Sequence, residues 1–256
     1  MKQTNSNSHR LTRSVPSNDF PYYNGAPLEI SGRRWFFVMG MVILGFLVLT
    51  IPVPLFAGRF GQFIPAILFL TIPLMGLAIA APKHWRAIFR KVRGRDVLWM
   101  VGFALLNIVV STGIALLVSK EFGVHTNAAI AGLADLTTLE LVLFFLKTIP
   151  QLMGEEVLTI LPFLALMYLL YTRRGHSRKS SIVWAWLISA VMFGLVHLPT
   201  YGWDVIQCVI VIGSARLVLM LPYLLTKNIW VSTGTHILND WIIFSVVILG
   251  ATAGSQ

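Results

Sequence analysis

Few side chains in this sequence could do chemistry, and they are grouped. Glu155 and Glu156 stand side by side in QLMGEEVLTILPFLAL, residues 151 to 166, a run otherwise as apolar as a lipid tail. His197 closes a second apolar stretch, Arg216 is an isolated cation in a third, and His236, Asn239 and Asp240 share a fourth. A carboxylate moved into hydrocarbon costs on the order of several kcal/mol or gives up its charge, so such residues mark a site or a buried partner. His236 and Asp240 are four apart and stand about one turn from each other on one helix face, as do Phe193 and His197. Adjacent Glu155 and Glu156 point about 100° apart, which divides their work: one faces a site and the other answers a structural partner.

Two imidazoles, a carboxylate at helical spacing and a further glutamate are the parts of a hydrolytic centre that activates water. A glutamate can serve as general base, and the imidazoles can hold the water, ligate a metal or donate to a developing oxyanion. Two histidines with Glu or Asp would also meet the demands of a zinc site, with His197 and His236 as the candidate nitrogen ligands. A transporter or ion pathway would draw on the same residue types, and spacing alone leaves that reading open.

The elements that must position these groups are membrane helices. Of 256 residues, 56% are hydrophobic and 12% charged, and the mean hydropathy is +0.77. Soluble domains carry about 25% charged residues, so the composition describes an all-α polytopic membrane bundle. At about 20 apolar residues per crossing, seven spans fall near 35 to 57, 63 to 81, 97 to 118, 149 to 171, 181 to 198, 205 to 225 and 229 to 249. The prolines in or beside them, Pro52, Pro54, Pro150, Pro162, Pro199 and Pro222, are expected to kink or break several helices. The segment 137 to 148 reads as a separate interfacial helix leading into the fourth span. Residues 1 to 34 read as a polar, basic tail, disordered or surface-bound and without a cleavable signal, and residues 35 to 256 as a single membrane domain.

The net charge of +10 comes from Lys and Arg clustered in short loops between apolar segments, which fits an anionic membrane surface and sets nucleic acid aside. One side of the bundle carries Lys2, Arg10, Arg13, Arg33, Arg34, the run Lys83 to Arg95, Arg173, Arg174, Arg178, Lys179 and Lys227. The other carries Arg59, Lys120 and the borderline Lys147. The positive-inside rule then places the amino terminus in the cytoplasm and the carboxyl end outside. Cys208 is the sole cysteine, so an intrachain disulfide and a multi-cysteine metal site are excluded. Polar groups are concentrated in the last four spans, between which the site is expected, while the first three carry little beyond Asn107 and read as scaffold.

At these residues the chain resembles the CPBP family, also called Abi, of CAAX-prenyl endopeptidases and bacteriocin-processing membrane proteins. EEVLTI, Glu155 to Ile160, is similar to the family's first motif, two glutamates followed after three residues by arginine. FGLVH, Phe193 to His197, is similar to the second, and HILND, His236 to Asp240, to the third, in which asparagine is common at the last position. The resemblance covers roughly residues 137 to 245. It implies an intramembrane endopeptidase, glutamate-type or metal-dependent, with Glu155 activating water, His197 helping to hold it, and His236 with Asp240 stabilising the oxyanion or completing the site.

Two positions depart from the pattern. Ile160 replaces the motif arginine and removes the i,i+4 partner of Glu156, and Arg216 is expected to supply that partner from a neighbouring span. Asp240 replaces asparagine and donates only when protonated, so Asn239 beside it is the candidate for the donor role. HLPTYGWD, residues 197 to 204, reads as an irregular loop at the membrane interface, a rim or gate for the site. The basic tail resembles the bacterial branch, where peptide maturation, bacteriocin immunity and surface-protein regulation are the usual assignments. The implied substrate is a membrane-associated peptide, lipopeptide or lipoprotein. Two alternatives keep the fold: acyl transfer to a lipopeptide or lipoprotein, and a non-enzymatic regulator that binds a membrane protein partner.

Overall fold

The structure, a computed structural model, describes residues 18 to 127, 130 and 132 to 254. Among the described residues every regular element is helical. Among the described residues seven helical segments are long and apolar enough to cross a membrane, built on α1 (Gly32–Thr50), α2 (Phe63–Ala80), α3 (Gly94–Phe122), α4 (Thr138–Met167), α5 (Arg178–Val196), α6 (Gly213–Thr226, which needs the preceding turn from Gln207 to span) and α7 (Ile229–Gly254). Wider π-type turns extend α4 through Tyr168–Arg173 and precede α6 over Gln207–Ile212.

α4 organises the rest. Its first turn is closed by a reciprocal cap in which the Glu140 N–H donates to Thr137 Oγ1 and the Thr137 N–H donates to Glu140 Oε2. The segment from 137 to 148 is therefore continuous with the fourth span, not a separate interfacial helix. Pro150 and Pro162 lie inside α4 without ending it, since a helix enclosed by neighbours keeps its course where one hydrogen bond is lost. With its π turn α4 runs 36 residues, about 54 Å at 1.5 Å per residue, against about 30 Å of hydrocarbon. It is the most enclosed of the seven spans, packed by α1 and α2 on one side and by α5 and α7 on the other. α3 lies against α6 and α7 and completes the wall around the carboxy-terminal helices.

The expected tail is corrected where it is described. Residues 1 to 17 lie outside the described residues, but 18 to 31 form a strap whose Phe20, Tyr22, Tyr23 and Ile30 are buried. The Tyr22 hydroxyl lies 2.7 Å from the His84 carbonyl and 2.9 Å from that of Trp85, and Phe20 meets Phe163 edge to face at 5.2 Å. Asp19 accepts from Arg178 at 2.5 Å and from the Tyr23 hydroxyl at 2.7 Å. A polar sequence hides these contacts because its aromatics and its one buried acid find partners far along the chain.

The strap closes one end of the bundle. Around it Val157, Ile160, Leu161, Phe163, Leu164 and Met167 of α4 pack with α1, α2 and Tyr223 of α6 into a solid core. The opposite halves of α3, α4, α6 and α7 surround a cavity instead.

Candidate active site

Glycines bring the walls of this cavity together. A Cβ on Gly154 would stand 2.5 Å from the Phe69 ring of α2, so the residue before the paired glutamates must be small for α4 to seat. A Cβ on Gly194 would collide with the Cys208 carbonyl in the π turn before α6. π turns often sit at functional sites, and this one lets α5 and α6 approach beside His197.

The cavity holds about 340 Å³ and is lined by Glu155, His197, His236, Asn239 and Asp240, with Phe193 and Arg216 in its wall. All the predicted site residues except Glu156 thus meet around one space. Glu156 has no solvent exposure. The two glutamates divide as their 100° offset requires: Glu155 turns to the cavity and Glu156 away from it.

Glu156 is held by two partners. Arg216 Nη1 donates to its Oε1 at 2.5 Å, with neither side chain exposed, and His236 Nδ1 lies 2.9 Å from the same oxygen. The cation expected to replace the arginine missing at Ile160 is therefore in place, and Ile160 itself sits in the apolar core. Since an ionised carboxylate only accepts, Nδ1 carries the proton and Nε2 is turned towards the cavity. There His236 Nε2 lies 3.8 Å from Glu155 Oε2 and 3.8 Å from Asp240 Oδ1.

Phe193 is the hub of the wall. Its ring lies 4.5 Å from that of His197 and 6.4 Å from that of His236, with the Arg216 guanidinium 4.7 Å over its face. The His197 ring is fixed by Nδ1, 2.7 Å from the Phe193 carbonyl, which can only accept. The second motif thus orients its own histidine through i,i−4.

Asn239 links two neighbours and lines the cavity. Its amide nitrogen donates to Asp240 Oδ1 at 2.8 Å, and its oxygen accepts from Asn107 Nδ2 at 2.9 Å. Asn239 therefore clamps Asp240, and one of its two amide protons is already committed. Asn107, Ser111 and Ala115 of α3 line the same cavity, so α3 is a wall of the site and not mere scaffold. Asn107 was visible as a lone polar residue in an apolar span, but its partner lies 132 positions away.

Lys147, Gln151 and Tyr201 were missed. Lys147, Gln151 and Glu155 recur every four residues, a signal for one shared face of α4, and Gln151 Nε2 reaches Glu155 Oε1 at 3.4 Å. Tyr201 belongs to the expected rim loop, where Leu198–Tyr201 forms a 3₁₀ turn. Its hydroxyl accepts from Asn127 Nδ2 at 3.1 Å, and burial, reinforced by Asp240, pushes its pKa up.

A zinc ion does not fit this arrangement. Among the described residues no three His, Cys, Asp or Glu side chains are placed to hold a metal ion. No step below passes through a metal.

The helices and cavity define a polytopic membrane protein with a polar site enclosed inside its bundle. Residues 137 to 242 match the family model described as Type II CAAX prenyl endopeptidase Rce1-like. That segment is thus similar to an intramembrane protease domain, consistent with the CPBP motifs it resembles. Neither a curated protein nor a solved structure matches the chain.

Proposed function

We propose that the protein is an intramembrane endopeptidase that hydrolyses a peptide bond of a membrane-associated peptide, lipopeptide or protein. The observation that carries this reading is the division of the paired glutamates: Glu155 lines the cavity with its side chain 13% exposed, within 3.8 Å of His236 Nε2, while Glu156 is wholly buried against Arg216. A cavity carboxylate beside an orientated imidazole is what activation of water requires.

In the proposed mechanism Glu155 takes a proton from water lodged between it and His197, and the hydroxide attacks the scissile carbonyl carbon. The oxyanion forms on the side of His236, which donates from Nε2 when that nitrogen is protonated, with Glu156 fixing the ring through Nδ1. The C–N bond breaks as Glu155 returns the proton to the leaving amine. Asp240, clamped by Asn239, faces the same Nε2 of His236 at 3.8 Å. In this reading the protein lies in the membrane with its basic loops in the cytoplasm, an orientation the basic excess at the strap end supports.

Glu155→Gln tests the reading, with His197→Ala beside it. Removal of a general base costs about 10²- to 10⁴-fold, read as loss of cleaved products by mass spectrometry of membrane peptides and lipoproteins. Retention of full processing by both variants refutes the proposal, and acylated rather than cleaved products select acyl transfer.

A further inference from the structure

We propose that the cavity is loaded from the face of the membrane opposite the basic loops, so that the substrate is an extended peptide segment presented outside the cytoplasm. This rests on the endopeptidase reading for what enters, but the direction of access stands on separate observations.

The first is where the cavity lies along each helix. It is lined by the second half of α3 from Asn107 to Ala115, α4 up to Glu155, the end of α5 at His197, the first half of α6 and the middle of α7. Asn127 and Tyr201 line it too, and they belong to the α3–α4 and α5–α6 connections, which share one end of the bundle. These two connections are tied together: the His125 N–H donates to Gln207 Oε1 at 2.7 Å, and Gln207 Nε2 donates to the His125 carbonyl at 2.9 Å. They form a fixed rim.

The second is the closure of the other end. Below Glu155 the core of α4 from Val157 to Met167 is solid, and the strap lies across it with Phe20 against both Phe163 and Tyr223. A peptide arriving there would have to displace buried aromatics.

The third is charge. The rim end carries Arg59, Lys120 and the borderline Lys147 against Glu121, Asp135, Glu140 and Asp204, a net acidic set, whereas among the described residues the strap end holds nearly all the remaining cations. Cytoplasmic loops hold the Lys and Arg excess, so the sealed end is cytoplasmic and the hollow end faces out. At about 340 Å³ the space lies near the small end of ligand cavities. It suits a few residues of unfolded chain and excludes a folded domain.

The test uses the full chain in cells. In a Cys208→Ser background, which removes the sole cysteine, single cysteines are placed in the cavity as Ser111→Cys and Ala115→Cys and at the sealed end as Lys83→Cys and Arg174→Cys. A membrane-impermeant maleimide applied to intact cells is expected to label a cavity cysteine at least tenfold faster than either sealed-end cysteine, which reacts only after permeabilisation. Labelling of Arg174→Cys or Lys83→Cys in intact cells, or failure of both cavity cysteines to react before permeabilisation, overturns the proposal. Repeating the labelling with Glu155→Gln separates the two readings, because access does not depend on turnover. If Glu155→Gln and His197→Ala both keep full processing, the endopeptidase reading falls while the labelling pattern still decides the direction of access.

Discussion

Replacing Arg216 with methionine should unfold the protein far more readily than replacing Arg216 and Glu156 together. Arg216 and Glu156 meet at 2.5 Å with neither side chain reaching solvent. Removing one member of such a pair strands a buried charge and costs about 3–5 kcal/mol, whereas exchanging both for apolar groups of similar volume is often neutral or stabilising. Here the double change also strips His236 of its carboxylate acceptor at 2.9 Å, leaving a buried polar group at a cost of about 1–3 kcal/mol. The expected order is therefore Arg216→Met and Glu156→Met each down by about 3–5 kcal/mol, and Arg216→Met with Glu156→Met down by only about 1–3 kcal/mol. At roughly 2–4 °C per kcal/mol for a chain of this size, each single variant melts about 6–20 °C lower and the double variant recovers much of that loss. The assay is thermal unfolding of the purified protein in one detergent, with all four proteins measured side by side. If the double variant equals the sum of the singles within about 0.5 kcal/mol, the two residues are not coupled. The account of how Ile160 is tolerated then fails.

Two further outcomes are expected. Burial alone would raise the Asp19 carboxyl, but hydrogen bonds from Arg178, Tyr23 and the Phe20 N–H outweigh it, so its folded pKa lies below the ordinary value of 3.8. Its contribution is thus complete above the unfolded pKa and lost as pH falls through the folded one; the melting temperature of the wild type should drop through that acid window, and Asp19→Asn should flatten the slope there. Gly154→Ala gains helix propensity of about 1 kcal/mol, yet its Cβ would stand 2.5 Å from the Phe69 ring. The net change should be destabilising by about 1–3 kcal/mol, and Gly154→Ala combined with Phe69→Leu should recover part of it in the same melting assay.

The site was legible in the sequence where chemistry and periodicity coincide. Glu155, His197, His236 and Asp240 stand out because charge is scarce in hydrocarbon, and the 100° between neighbours on a helix separates Glu155 from Glu156 without coordinates. Arg216 was legible for the same reason, as a cation with no other partner in sight. Asn239 was not, since which way an amide faces depends on Asn107 in another helix. The course of α4 through Pro150 was hidden because helix propensity carries no record of the neighbours that enclose it. The strap was hidden most completely: composition averaged over 34 residues reads as polar, while four of its side chains carry the burial.

The strap also sets an order of events during synthesis. Asp19 pairs with Arg178, 159 positions later, and Phe20 packs on Tyr223. At about 5–20 residues per second, the ribosome needs roughly 8–30 s after making Asp19 to reach Arg178, and longer to reach Tyr223. Throughout that interval Phe20, Tyr22 and Tyr23 lack much of the surface that later covers them. A nascent chain stalled before α6 should remain open to cleavage by an added protease near residue 20, and the completed chain should resist it. Protection of that segment is a signal that the sixth helix has docked.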